Sequence, residues 1–370
     1  MKRTHAYAST ALVGLVALSL AACGSDNPTK SDTSGAATSS LSGNLDGGGA
    51  SSQGKAQEAW VAGFQSANPK TTVNYTVSDS GAGRKGLLDG SLVYAGTDSA
   101  LTTDEIASST QVCSGGQAFD VPVYVSPIAV AFKIAGVDSL NLDAATVAKI
   151  FHGDITTWDD PAITDQNADV ASKLSGPISV MYRSDDSGTT KNFTDYLSKA
   201  APDVWTDAAS STFPVSKDTF QGLNGTSAVV QGIQAGSGTI GYADASAIGT
   251  LGTVKVKVGS EFVGPTAEAA AATLDDSQRS TDGRADNDIV FSVNRTTTAT
   301  GAYPVILVSY LAVCDTYASQ SQADLVKGYV DYVVSAQGQD TAASAAGSAP
   351  ISDSLRADVQ QAVGTIKVKA

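Results

Sequence analysis

The sequence predicts an α/β protein with covered sheets, on three observations. β-rich runs alternate with amphipathic, helix-like runs from residue 44 onward. Two of the β runs, at 119–132 and 303–313, are long and apolar. No period of about 20–50 residues repeats, which argues against a solenoid. With 370 residues, 42% of them hydrophobic, the chain is long enough for about two domains and a substantial core.

Taken in chain order, GGGASSQGKAQEAWVAGF (47–64) places Gly and Ser ahead of a helix that carries Trp60 and Phe64. TTVNYTV (71–77) reads as a strand, and SDSGAGRKGLLDG (78–90) as small residues leading into a short helix. LVYAGTD (92–98) is a strand ending at an Asp. TTDEIASST (102–110) opens on a capping pattern, with Thr102 or Thr103 ahead of acidic residues. FDVPVYVSPIAVAF (119–132) is β-rich, and LDAATVAKIFHG (142–153) is helical and stops at a glycine. PISVM (177–181) is a short buried strand, followed by an amphipathic helix with Phe193, Tyr196 and Leu197 on one face. TIGYAD (239–244) and YPVILVSYLAV (303–313) are strands, and SQADLVKGYVDYVVS (321–335) is an amphipathic helix.

The formal net charge of −14 and pI near 4.4 argue against a general nucleic-acid binder, which needs a basic face. Residues 1–22 read as a processing signal: Lys2 and Arg3, an apolar run at 11–20 too short to span a bilayer comfortably, then Leu20-Ala21-Ala22-Cys23. That ending resembles a bacterial lipobox, which makes Cys23 the expected lipidation site and the anchor to a membrane. A plain secretory signal with a chance cysteine is the alternative. Residues 23–43 are Ser-, Thr-, Gly- and Asp-rich without apolar periodicity, and read as a flexible tether with a root-mean-square reach of about 25 Å. In a non-reducing compartment the two remaining cysteines, Cys113 and Cys314, are a possible disulfide, with two buried free thiols as the alternative. One histidine, His152, lies outside the signal segment, so no metal site and no cofactor is expected.

Three segments share a feature that points to chemistry. At 47–54, 78–83 and 187–190, small hydroxyl residues and glycines stand at a helix start. Such ends carry unpaired N–H donors and partial positive charge, which suits an anion. A single Ser at a helix start is ordinarily a cap. Three of them, one preceded by Arg183, are more than capping needs.

These stretches, with YAGTDSALT, FHGDITTWDDPAI, YRSDDSGTTKNF, GTIGYADAS and AYPVILVSY in that order, resemble the phosphate-binding protein of the bacterial phosphate ABC importer, the PstS family. The resemblance runs from about residue 44 to 370 and suits the family's lipoprotein form. It implies a type II periplasmic-binding-protein fold: two lobes, with the ligand in the cleft between them. The first lobe would use 44–124 and 300–370, and the second 125–299. It also implies that Ala50, Ser51 and Ser52 donate to phosphate from the first helix start, and Ser80 from the second. Arg183, Ser187, Gly188 and Thr189 would donate from the other lobe, with Asp185 pairing Arg183, while Asp98 would accept a hydrogen bond from the ligand. The implied partners are inorganic phosphate and the importer's membrane permease subunits, and the protein is expected to be a monomer and not an enzyme.

Two positions depart from the family pattern. Ser52 stands where an aromatic is common, and Asp186 where Gly is common. An inward-pointing Asp186 would oppose an anion. Arg84 and Lys85 are read as a solvated face. Asp98 carries the selectivity expectation: phosphate near neutral pH keeps a proton for a carboxylate to accept, and sulfate has none. Competing readings are a binding protein for sulfate, molybdate or another oxyanion, a serine hydrolase through Ser187 or Ser80, and a sensory or surface role. The hydrolase reading lacks a G-x-S-x-G elbow and a base.

Overall fold

The computed structural model describes residues 41–370. The expected signal segment, Cys23 and the tether up to residue 40 lie outside the described residues. β1 (Gly43–Ala50) lies between β2 (Thr71–Ser78) and β3 (Tyr94–Thr97), all parallel. β3 pairs antiparallel with β13 (Ile306–Cys314), and β13 pairs antiparallel with β4 (Ala118–Lys133). β4 is long enough to serve both halves of the sheet. Its first part pairs with β13 as far as Pro127, and Ile128–Lys133 pairs with β8 (Thr239–Asp244). Beyond it β6 (Ser179–Arg183) and β7 (Phe220–Leu223) run parallel to β8. β9 (Gly252–Val258) joins the end of β4 to β5 (Ser139–Leu142) and β10 (Glu261–Val263).

Helices cover both halves, giving two lobes. α1 (Gly54–Ala67), α2 (Ser80–Leu88), α3 (Thr103–Ser108), α9 (Gln320–Val334), α10 (Ala336–Ala346) and α11 (Asp353–Gly364) belong to the first. α4 (Ala144–His152), the short α5 (Pro161–Thr164), α6 (Gly188–Ala200) and α7 (Gly225–Ala235) belong to the second. The expected helix punctuation is present. Thr102 and Glu105 form a reciprocal capping box on α3, and Gly153 ends α4 in the left-handed region at φ 85°; the structure adds Asp143 as the cap of α4. Phe193, Tyr196 and Leu197 are all buried, and Phe193 stacks on Tyr242 at 4.5 Å between ring centroids. In the first lobe the Trp60 indole donates to Gly338 O (2.8 Å), and Phe64 meets Tyr329 edge-on.

The structure corrects several expected boundaries. Leu41 packs partly buried against the core and Gly43 already lies in β1, so the last residues assigned to the tether belong to the folded body. The chain leaves the first lobe after Pro127 rather than Tyr124, because β4 continues unbroken. The return at 299/300 is also displaced. α8 (Ala267–Asp275), β11 (Gln278–Ser280) and β12 (Val290–Ser292) pack against the first lobe. Ala271 and Leu274 lie beside Val125 and Leu355, Arg279 pairs with Asp358 of α11, and Ile289 N–H donates to Asp120 O (2.8 Å). Arg284 fixes this segment by reaching Asp288 at 2.6 Å and Asp120 at 3.7 Å. Gly47–Ala50, the small residues ahead of the first helix, form the end of β1. At Gly49 (φ 134°), a Cβ would strike the Gly96 backbone and the Cα of Gly83, so the glycines let α2 close on β1.

Cys113 follows α3 and Cys314 ends β13, and the two form a disulfide with Cα atoms 5.2 Å apart. Among the described residues no helix is long and apolar enough to cross a membrane.

Candidate anion-binding site

The parallel strands of each lobe end toward one another. In open parallel sheets, ligand sites lie at the carboxyl ends of strands. β1 ends at Ala50 and turns through a 3-10 segment, Ser51–Gln53, into α1. β2 leads to Asp79, whose side chain caps α2 by accepting from Ala82 N (2.7 Å). Ser80 is therefore the first residue of that helix, not its cap. β3 ends one residue before Asp98, and β6 ends at Arg183. Ser187 caps α6 by accepting from Thr190 N (3.2 Å), which leaves its own proton free to donate. Gly188 and Thr189 then occupy the first helical turn, where N–H groups have no intrahelical partner.

The structure brings these residues together across the lobes. Ser51 Oγ lies 2.9 Å from Thr226 Oγ1 at the start of α7. Gly81 N–H donates to Asp186 O (3.1 Å). A Cβ on Gly188 would come within 2.5 Å of Ser80 Oγ and 2.7 Å of Asp98 Cβ. Ser52, Ser80, Asp98, Arg183, Ser187 and Thr189 are all buried. This is a closed arrangement of the two lobes around one polar locus.

Asp98 sits in a cradle of donors. Ser52 Oγ donates to Asp98 Oδ2, and Ser309 Oγ donates to Oδ1 at 2.7 Å. Thr189 Oγ1 approaches Oδ2 at 3.5 Å, and Asp98 N–H donates to Ser80 Oγ at 3.1 Å. Gln53 Nε2 donates to Ser309 Oγ (2.8 Å), which leaves the serine proton for Asp98. Burial pushes the Asp98 carboxyl up to about 6; the Ser52 and Ser309 hydrogen bonds and the Arg183 charge pull it down, and Asp244 pushes it further up. Near pH 7 it is thus mostly ionised and able to accept. A carboxylate offers about four lone-pair positions. Its protein donors leave room for one more proton on Oδ1.

Arg183 lies against Asp185 in a two-point pair: Nε to Oδ1 at 2.6 Å and Nη2 to Oδ2 at 2.5 Å. Burial pushes the Asp185 carboxyl up, but the hydrogen bonds and charge of Arg183 outweigh it and hold the group below the usual carboxylate range. The pair fixes the guanidinium plane, while Nη1 donates to Thr226 Oγ1 at 3.4 Å, and the two remaining N–H groups are not taken up by these bonds.

Other positions fall differently from expectation. Asp186 faces outward, its side chain half exposed and 3.9 Å from Arg84, so it does not oppose the site. Arg84 is not on a solvated face. It is buried, pairs with Glu105 at 3.1 Å and donates to Ser99 Oγ at 2.6 Å, bracing the loop that follows Asp98. Ser52 uses its hydroxyl on Asp98, so an aromatic is not needed there. Asp98 is no helix cap, since Thr102 takes that task. His152 lies in the last turn of α4 against Asp154 and Trp205. Sequence reasoning missed Ser309, Thr226 and Asn192. Ser309 had a signal: a serine inside an otherwise apolar, fully buried strand. Thr226 repeats the small-hydroxyl helix start of the other three segments, in Gly225-Thr226-Ser227.

Comparison with known proteins agrees with this fold. A profile of the PBP superfamily domain matches residues 34–337. Phosphate-binding protein PstS 3 of Mycobacterium leprae is 32% identical over 373 residues, covering 96% of this chain and 98% of that protein. A solved high-affinity periplasmic phosphate-binding protein bound with phosphate shares the fold at 22% identity, with a TM-score of 0.73 over 86% of this chain and 93% of that one. Alkaline phosphatase L of Pseudomonas aeruginosa is 28% identical over 194 residues, covering 47% of this chain and 50% of that protein. The fold is therefore that of a two-lobed periplasmic binding protein. The chain belongs to the PstS family of phosphate-binding proteins.

Proposed function

We propose that this protein captures inorganic phosphate outside the cytoplasmic membrane and delivers it to the permease subunits of a phosphate ABC importer, held at the membrane by lipidated Cys23. It acts as a monomer, without cofactor and without chemistry on its ligand. Family membership supports the ligand class, and one observation of this chain supports the site: a buried Asp98 carboxyl set among neutral and cationic donors from both lobes. In this reading the N–H groups at Ala50, Ser51 and Ser52 and the hydroxyl of Ser80 hold phosphate from the first lobe. Arg183, held by Asp185, and Ser187, Gly188 and Thr189 hold it from the second. Hydrogen bonds involving charged groups are worth about 1.5–3 kcal/mol each. Net charge does not oppose capture, because exposed charge is screened beyond about 8–10 Å at physiological salt.

Asp98 supplies the selectivity. It accepts the remaining proton of phosphate, whereas sulfate would set a bare oxygen against it. The half-length phosphatase relative does not shift this reading. The hydroxyls of Ser80 and Ser187 accept from Asp98 N and Thr190 N, and His152, the one histidine among the described residues, is bonded to Asp154 and to neither serine.

The deciding experiment is calorimetric titration of ligand-stripped protein near pH 7 with phosphate and, separately, with sulfate. The expected result is one-to-one phosphate binding and no sulfate heat. Equal binding of both would replace phosphate with a general oxyanion and remove the role given to Asp98.

A further inference from the structure

Behind the anion locus a second polar network joins the lobes, and its own side chains, Asn192, Asp195 and Arg295, are none of the proposed phosphate donors. Asn192, one turn into α6, donates from Nδ2 to Asp98 O at 2.7 Å and to Gly188 O at 2.9 Å. A single amide thus grips the backbone of the acceptor residue in one lobe and the first helical turn of the clamp in the other. Its oxygen is not free to rotate away, because Asn192 Oδ1 accepts from Arg295 Nη2 at 2.5 Å. With the oxygen so held, the amide nitrogen must face Asp98 and Gly188.

Arg295 is a strut rather than a ligand contact. It is buried, and four of its N–H donors are spent on the protein. Nε reaches Asp195 Oδ2 at 2.8 Å, and Nη1 reaches Pro304 O at 3.0 Å and Ile306 O at 2.7 Å. Pro304 and Ile306 lead into β13 of the first lobe, while Asp195 and Asn192 lie on α6 of the second. The Arg295 bonds lie beside the crossing, where Ile306 pairs with Pro127, and a hinge there disturbs them least. The Asn192–Asp98 bond lies at the cleft and exists only while the lobes are together.

We infer that Asn192, oriented by Arg295, is a positioning residue for ligand capture: it latches the Asp98 backbone to the α6 clamp in the closed state and so sets how long the ligand stays bound. The inference rests on the phosphate-binding reading for its ligand, but not for its geometry. A latch made after encounter acts on release rather than on association. Two buried neutral hydrogen bonds lost together correspond to about a tenfold change or more.

The test compares Asn192→Ala with Asp195→Asn by rapid-mixing kinetics with phosphate and by thermal unfolding. Asn192→Ala is expected to release phosphate about tenfold faster, with association changed less than about twofold and the unfolding midpoint lowered no more than in Asp195→Asn. Asp195→Asn removes the charge facing Arg295 but leaves the amide in place. It is expected to lower the midpoint and leave release within about twofold of wild type. Release from Asn192→Ala at the wild-type rate overturns the latch. So does a parallel loss of midpoint and retention in both variants, which is what a merely structural network would give. If the wild-type protein binds no phosphate, the functional reading fails on that control, and the same release kinetics with the oxyanion it does bind, sulfate or molybdate, decide the latch. Faster release from Asn192→Ala supports it, and equal release overturns it.

Discussion

Burial pushes the Asp98 carboxyl up to about 6, from a starting value of 3.8, while two serine hydroxyls pull the other way. The sign of the consequence follows from linkage. The folded chain holds this proton more tightly than the unfolded chain, so the group favours the folded, ligand-free state at low pH. That contribution fades as pH rises from about 4 through about 6. The same titration bears on selectivity. Below about 6 the carboxyl carries its own proton and can donate to a fully ionised oxyanion. Sulfate affinity should therefore rise about tenfold between pH 7 and pH 5 and then level off. In Asp98→Asn the side chain cannot titrate, and its amide can donate at any pH. Sulfate affinity should then lose its pH dependence, and the phosphate preference at pH 7 should fall by at least about tenfold. Titrating both proteins with sulfate across this range checks it. A pH-independent wild type, or an unchanged preference in Asp98→Asn, would remove Asp98 as the discriminator.

At the scale of elements, the start of α6 must do two things at once: present N–H groups and let the other lobe come close. Gly188 meets the second demand, because a Cβ there would lie 2.5 Å from Ser80 Oγ and 2.7 Å from Asp98 Cβ. Alanine is no worse than glycine for the helix itself. Gly188→Ala should therefore leave the unfolding midpoint of the ligand-free protein within a few degrees of wild type while weakening phosphate binding about tenfold or more. A variant with normal affinity would show that the lobes do not close to this distance on the ligand. Much at this scale was legible in the sequence. The capping box at Thr102, the Gly153 stop and the buried face of α6 are local signals, and local physics decides them. What was not legible depends on distant chain segments. Arg84 looked like one of two solvated cations, since nothing near it announces Glu105 and Ser99. Arg295 stands in a polar loop, and its partners lie 100 and 103 residues away on α6. The displaced lobe boundary has the same origin: α8 is apolar enough to pack anywhere, and only its meeting with Val125 and Leu355 says which lobe it joins.

For the whole molecule, the chain enters the first lobe, leaves it through β4, and comes back to complete it. The second pass must find the first. Sheet pairing of β13 with β3 and β4 does most of this, and the Cys113–Cys314 disulfide makes it permanent. The two cysteines are 201 residues apart, and the loop they close contains the entire second lobe. In the chain-entropy account, a loop of this size confers about 5 kcal/mol by restricting the unfolded chain. Both cysteines are buried and neither contacts the anion locus. The double variant Cys113→Ser, Cys314→Ser should therefore unfold at markedly lower denaturant, by up to about 5 kcal/mol. Its phosphate affinity at 25 °C should stay within about twofold of wild type as long as the protein remains folded, because ligand binding is read against the folded state alone. Urea unfolding and calorimetry on the same samples separate the two quantities. A loss of affinity without a loss of stability would mean that the bond shapes the cleft. It would then be more than a closure of the first lobe, and β13, which carries both Ser309 and Cys314, would be the element transmitting it.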